Sequence, residues 1–242
     1  MTDFLILSAF ASASTGLGAV PALIFQKATH NFRDILLAFC AGVMVSVSAF
    51  ELIPQALIYS DILLVTIGLL TGVFILTVLE QNIPHIHLDH GKVKADIDEK
   101  ALLIIAAITL HNLPEGLSVG VSFASGVENL GPMIALAIGL QNLPEGFLVA
   151  LFLIQQKVNK VMTFFIVLLT GLVEYVSAIA GFVLTSYVSL MVPFGLAFAA
   201  GSMLYIVYKE LIPESHGDGH AFSATYAFIF GLIGMLWVSS VF

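Results

Sequence analysis

Long apolar runs separated by short polar intervals set the frame of this chain. Eight such runs lie near 4–25, 34–58, 62–84, 100–124, 132–154, 160–186, 190–213 and 221–242. A helix needs about 20 mostly apolar residues to cross a bilayer, and all eight runs are read as meeting that length. The expected fold is therefore all-α: a polytopic membrane protein of eight transmembrane helices. The longest polar interval, about 85–98, leaves no room for a soluble domain, so 1–242 is read as one integral membrane domain carrying a histidine-containing loop. The first run lacks a basic leading segment and a convincing cleavage site and is expected to stay as a helix.

Charge adds an orientation. All eight basic residues, Lys27, Arg33, Lys92, Lys94, Lys100, Lys157, Lys160 and Lys209, fall in or beside the intervals after runs one, three, five and seven. The positive-inside rule places those intervals in the cytoplasm and both termini outside; a plasma (inner) membrane is the expected location. A mean hydropathy of +1.05 agrees with a lipid setting. The net charge of −8 says little about partners, because several acidic residues lie inside apolar runs. No nucleic-acid partner is expected, and a homodimer stays open. Cys40 is the one cysteine and sits in an apolar run, which excludes an intrachain disulfide and a cysteine-cluster metal site.

Two duplications stand inside these runs. His111-Asn112-Leu113-Pro114-Glu115-Gly116 in run four is echoed 30 residues on by Gln141-Asn142-Leu143-Pro144-Glu145-Gly146 in run five. In addition, Phe39 to Met44 followed by Glu51-Leu52-Ile53-Pro54 in run two matches Phe198 to Met203 followed by Glu210-Leu211-Ile212-Pro213 in run seven, without a gap. In both duplications the copies sit an odd number of spans apart, so they cross the membrane in opposite directions. This predicts inverted repeats, segments 1–3 and 6–8 around 4–5, a pattern that goes with a mid-membrane site and alternating access.

The hexapeptides carry the chemistry. A charged side chain at the bilayer centre costs roughly 2.5–3.5 kcal/mol on insertion scales, so an intramembrane carboxylate marks a functional site by default. Residues four apart share a helix face, which aligns His111 with Glu115 and Gln141 with Glu145. Pro114 and Pro144 cannot donate to the carbonyls of Leu110 and Leu140, which is expected to bend both helices at the site. Run six adds Glu174 near mid-span. Three carboxylates crowded with an imidazole repel one another or take up protons; a divalent cation removes the conflict. Imidazole, carboxylate and carboxamide donors, with a thioether in reach, suit zinc first, with iron(II), manganese, cobalt or cadmium in range. The metal is then the cargo, and no organic cofactor is called for. The lack of an expected thiolate ligand argues against a copper(I) pathway.

These residues resemble the Zrt-/Irt-like (ZIP) family of divalent-metal transporters, in its compact prokaryotic form. The likeness covers the eight spans, the outside termini, His-Asn-x-Pro-Glu-Gly in segment four, the related x-x-x-Pro-Glu-Gly in segment five and the glutamate in segment six. It implies uptake into the cytoplasm through a binuclear centre halfway across the membrane. By position, one ion would be held by His111, Glu115, Gln141 and Glu145 with Met44 from segment two. The other would be held by Asn112, Asn142 and Glu174, with Glu115 and Glu145 bridging. The resemblance further implies that segments one, four, five and six move against two, three, seven and eight. Many members open the segment-five motif with a histidine or acidic residue. Gln141 and Asn142 here supply fewer anionic donors, which is expected to weaken the second site or change its preference, down to single occupancy.

At the periphery, Glu51 and Glu210 would lie toward opposite mouths and are expected as relay ligands, with snorkelling interfacial charge as the competing reading. His85, His87, Asp89 and His90, together with His216 and His220, are expected as cytoplasmic metal contacts. A metal sensor or an intramembrane metalloenzyme is the alternative. No His-Glu-x-x-His arrangement is present for the latter, and neither explains two inverted duplications.

Overall fold

The computed structural model describes residues 1–82, 97–188, 190–217 and 219–242. Its described helices are α1 (Thr2–Ile24), α2 (His30–Tyr59), α3 (Ile62–Gln81), α4 (Ile97–Ala124), α5 (Leu130–Gln155), α6 (Lys160–Tyr187), α7 (Met191–His216) and α8 (Ala221–Val241). Seven of them are long and apolar enough to cross a membrane by length and composition; α4 carries the first hexapeptide. The boundaries fall within a few residues of those expected, the largest difference being at the start of α2, which opens at His30 rather than 34. α3 stops at Gln81 rather than 84, and α7 runs on to His216 because a change of helical winding carries it past Pro213.

Polar residues between the apolar runs start the helices. Thr29 accepts from the Phe32 amide at 3.2 Å, Asp61 from Leu64 at 2.9 Å and Asn159 from Val161 at 2.8 Å. Each such cap satisfies an N–H that the first turn leaves without an intrahelical partner. Between α4 and α5 the chain turns through Gly126 and Asn129, both at positive φ (72° and 61°).

Both copies of the longer repeat are wound alike. α2 passes into a π-helical stretch at Val47–Leu52 and α7 at Val207–Leu211, and each resumes as α-helix at Ile53 and Ile212. There the amides of Ile53 and Ile212 reach five residues back, to the carbonyls of Ser48 and Val207. A proline deprives the carbonyl four residues earlier of its donor. The wider winding just before Pro54 and Pro213 moves the bonding frame by one residue, which lets the helix continue through the proline. Glu51 and Glu210 ride in these stretches.

The helices sort into two groups of four. α4 packs most extensively on α6 and α1 on α5, with α1 also along α6; α2 packs on α8 and α3 on α7. Glycines make these contacts close enough for backbone to touch backbone. A Cβ on Gly116 would stand 2.1 Å from the Glu174 carbonyl oxygen, and one on Gly146 1.9 Å from that of Thr15. In the other group a Cβ on Gly42 would meet the Phe228 carbonyl at 2.0 Å and one on Gly201 that of Leu69 at 2.3 Å. Between the groups, α7 meets α4 against side chains: a Cβ on Gly195 would stand 3.0 Å from a Val121 methyl. The main buried apolar cluster draws on both groups, with Met44, Val47 and Ala200 from one and Val121, Ile134 and Ile138 from the other. Of the seven helices long and apolar enough to cross a membrane, α5 is the most enclosed, with 67% of its most apolar window buried against 22% for α3 and α8. The second hexapeptide therefore sits on a deeply enclosed helix.

Candidate metal centre

α4 and α5 stay helical through Pro114 and Pro144, so each hexapeptide presents its side chains at fixed helical spacing in mid-helix. The glycine that ends each motif brings a neighbouring backbone against it. Gly116 admits α6 beside Glu115, and Gly146 admits α1 beside Glu145. Carboxylates from α4, α5 and α6 thereby converge. Glu115 lies within electrostatic reach of Glu145 and Glu174, and Glu145 within reach of His111. Asn112, Glu115, Gln141 and Asn142 are fully buried, and Glu174, Glu145 and His111 nearly so at 1%, 4% and 8% exposure.

The amide groups orient this set. Gln141 donates through Nε2 to Glu115 Oε1 at 2.5 Å. Asn142 donates through Nδ2 both to Glu174 Oε2 at 2.6 Å and to the Ala11 carbonyl of α1 at 3.0 Å. Asn112 donates through Nδ2 to the Thr170 carbonyl of α6 at 2.8 Å. In each case the nitrogen is spent on a neighbour and the amide oxygen is turned away from it. Those oxygens, Oε1 of Gln141 and Oδ1 of Asn112 and Asn142, are buried without a partner. So are Glu115 Oε2, Glu174 Oε1 and both oxygens of Glu145. Every one of the six oxygen-bearing residues expected at the centre keeps at least one such atom. Buried polar atoms in folded proteins are nearly always bonded, and leaving one unmet costs about 1–3 kcal/mol, more when it is charged. A cluster of seven acceptors with no donor among them fits a cation.

His111 completes the chemistry. Its Nδ1 lies 3.0 Å from the Ala107 carbonyl, an acceptor only, so Nδ1 carries the proton and Nε2 is the atom left for a ligand or a second proton. Nε2 faces Glu210 Oε2 at 3.3 Å, across the boundary between α4 and α7. As the side chains stand, no group of three or more His, Cys, Asp and Glu among the described residues is set to hold an ion. The amides account for this: carboxamide nitrogens hold the carboxylates of Glu115 and Glu174, and closing on a cation requires those bonds to yield.

The outlying candidates have separate fates. Glu210 joins the centre through His111, whereas Glu51 accepts from Ser239 of α8 at 2.5 Å. His220 pairs with the buried Asp34 of α2 at 2.9 Å, and His216 Nδ1 lies 3.0 Å from the Ile212 carbonyl and 3.1 Å from Ser215 Oγ. His85, His87, Asp89 and His90 lie outside the described residues. Met44 is fully buried on α2.

Several contributors were not expected from sequence. The Ala11 and Thr170 carbonyls anchor the two asparagines, and Asp34 partners His220. Cys40, one turn before Met44, donates its thiol to the Gln141 carbonyl at 3.6 Å. Only this last had a readable signal, the four-residue spacing of two sulfur side chains on α2.

A family model described as ZIP Zinc transporter matches residues 81–241. The protein called Zinc transporter GufA of Myxococcus xanthus is 38% identical, over 95% of this chain and 94% of its own length. Zinc transporter ZIPB of Bordetella bronchiseptica is 34% identical over 94% of this chain and 77% of its length. Zinc transporter ZupT of Chlorobium phaeovibrioides is 35% identical over 89% and 90%. The names are those of transporters, not enzymes.

Proposed function

The chain belongs to the ZIP zinc transporter family, and on that premise we propose that it carries divalent metal, zinc first, into the cytoplasm through a binuclear mid-membrane centre. The observation that carries the reading is the set of unpartnered buried oxygens on Asn112, Glu115, Gln141, Asn142, Glu145 and Glu174. One ion is held by His111, Glu115, Gln141 and Glu145 with Met44. A second is held by Asn112, Asn142 and Glu174, with Glu115 and Glu145 shared. Two divalent ions more than balance three carboxylates, which lets the set sit in a low-dielectric interior where three bare anions could not.

Movement of α1, α4, α5 and α6 against α2, α3, α7 and α8 carries the ions across. Two features support this partition. The glycine seams in which backbone meets backbone lie within groups, whereas at the boundary Gly195 of α7 meets the Val121 side chain of α4 and His111 pairs with Glu210. A bistable arrangement needs stiff bodies and a seam that can slide. Glu51 serves the outer mouth and Glu210 the inner one, taking an ion from His111. Beyond it the loop with His85, His87, Asp89 and His90, and the His216 and His220 segment, receive the ion. The protein sits in the plasma membrane on this reading, and the basic residues favour both termini outside.

Uptake of zinc, iron(II), manganese, cobalt and cadmium into proteoliposomes, with Glu115→Ala and His111→Ala beside the parent, tests the reading. Saturable zinc flux in the parent and its loss in both variants is expected. Undiminished flux in both overturns it.

A further inference from the structure

Half of the chain's basic residues, Lys27, Arg33, Lys157 and Lys160, gather where α1 and α5 finish and α2 and α6 begin. One buried apolar cluster holds these segments together. Ala28, next to Lys27, Val158, next to Lys157, and Phe152, beneath Arg33, all pack against it. Lys160 is tied in by its Nζ, which donates to the Leu23 carbonyl in the last turn of α1 at 2.8 Å. Arg33 is the most firmly placed of the four. Its guanidinium carbon lies 5.4 Å from the centre of the Phe152 ring, which joins α2 to α5 across the boundary between the helix groups, and the ring face attracts the cation. Its Nε is, among the described residues, the one buried side-chain nitrogen without a hydrogen-bond partner. Asp34, the next residue, is turned to His220 of α8. No ion pair among the described residues engages any of the four cations.

We propose that this end of the molecule binds the phosphate of an anionic phospholipid, with Arg33 of α2 as its anchor and Lys27, Lys157 and Lys160 around it. A guanidinium presents a fork that takes two phosphate oxygens at once, and lysines add charge without fixed geometry. The surroundings choose the lipid over free phosphate. Phe25 and Phe32 lie on either side of Lys27, and Val161 and Met162 follow Lys160; all four are exposed. Inorganic phosphate gains nothing from such neighbours, whereas a phospholipid sets its headgroup on the cations and its acyl chains on the apolar side chains. The surface is separate from the metal centre, and lipid binding there is read without any measurement of flux.

Native mass spectrometry of the purified full-length protein, titrated with dioleoylphosphatidylglycerol or dioleoylphosphatidylcholine, reads the apparent affinity for each lipid. The anionic lipid is expected to bind at least about 10-fold more tightly, since each cation near a headgroup is worth about 5-fold. Lys27→Gln/Lys157→Gln is expected to weaken that binding by about 25-fold on the same scale, and Arg33→Gln by about 5-fold or more. Lys27 and Lys157 are exposed, so the double variant keeps its fold. Lys92→Gln/Lys94→Gln removes the same charge from a different interval and is expected to leave the affinity unchanged. Equal affinity for the two lipids in the parent overturns the proposal. So do equal losses in the two double variants, which mark diffuse attraction in place of a site. Displacement of phosphatidylglycerol by millimolar inorganic phosphate also overturns it, by marking a site for the free anion.

Discussion

The two four-helix groups are built by one device and differ in what they enclose. In both, glycines let a carbonyl of the neighbouring helix lie 1.9–2.3 Å from where a Cβ would stand: Gly146 on Thr15 and Gly116 on Glu174 in one, Gly42 on Phe228 and Gly201 on Leu69 in the other. Both also bury carboxylates. In the α2, α3, α7 and α8 group these are matched. Glu80 accepts from Tyr205 and pairs with Lys209 at 2.5 Å, and Asp34 pairs with His220. In the α1, α4, α5 and α6 group, Glu115, Glu145 and Glu174 have no cation, only amides and open oxygens. Close packing therefore does not mark the functional half. Unmet charge does.

This contrast can be broken most forcefully by deleting a carboxylate on each side. Glu115→Ala is expected to lower zinc uptake per folded molecule by more than about 100-fold, above the 10–100-fold typical for a residue that only supports a metal ligand. Glu80→Ala should instead lower the folded fraction, by about 3–5 kcal/mol for a broken buried pair, screened toward the low end because Lys209 is partly exposed. Uptake assays normalised to folded protein by size-exclusion chromatography check both. Equal losses of specific uptake would erase the distinction.

Glycine substitutions probe what the groups share. Gly146→Leu and Gly42→Leu each force a side chain into space occupied by backbone at 1.9 and 2.0 Å. Both should destabilise by about 3 kcal/mol or more, the upper range for overpacking. Thermal unfolding in detergent measures this, and a large gap between the two would show that the seams are not equivalent.

The duplicated glutamates offer a finer test, since Glu51 and Glu210 share local sequence and π-helical winding but not neighbours. Glu210→Gln weakens a contact to His111 and is expected to slow uptake about 10-fold, the worth of one charge-assisted hydrogen bond. Glu51→Gln weakens a contact to the Ser239 hydroxyl and should slow it by about 3-fold or less. Initial-rate uptake resolves the order. The smallest effect belongs to an exposed cap: Asp61→Ala is expected to cost about 1 kcal/mol with no change in metal preference, read as a lowered unfolding temperature.

Sequence made the helices legible because hydropathy is a local property, and the spans it predicts fall close to those observed. It made the candidate residues legible for the opposite reason: Glu115, Glu145 and Glu174 stand out against apolar neighbours, and Pro-Glu-Gly is repeated. What stayed hidden depends on which helices meet. The acceptors that orient Asn112 and Asn142 are the carbonyls of Thr170 and Ala11, and a carbonyl leaves no mark in a sequence. Cys40 reads as an apolar residue until Gln141 is seen beside it. The π-helical stretches are half legible, as Pro54 and Pro213 announce a broken bond but not the winding that absorbs it.

The account's central claim is that the unmet oxygens on α4, α5 and α6 hold two ions. Equilibrium dialysis of zinc against the full-length protein and against Glu115→Ala/Glu145→Ala tests it most directly, since subtraction removes any ions held elsewhere. The account predicts two fewer zinc ions per chain in the double variant; equal stoichiometry in the two proteins would contradict it.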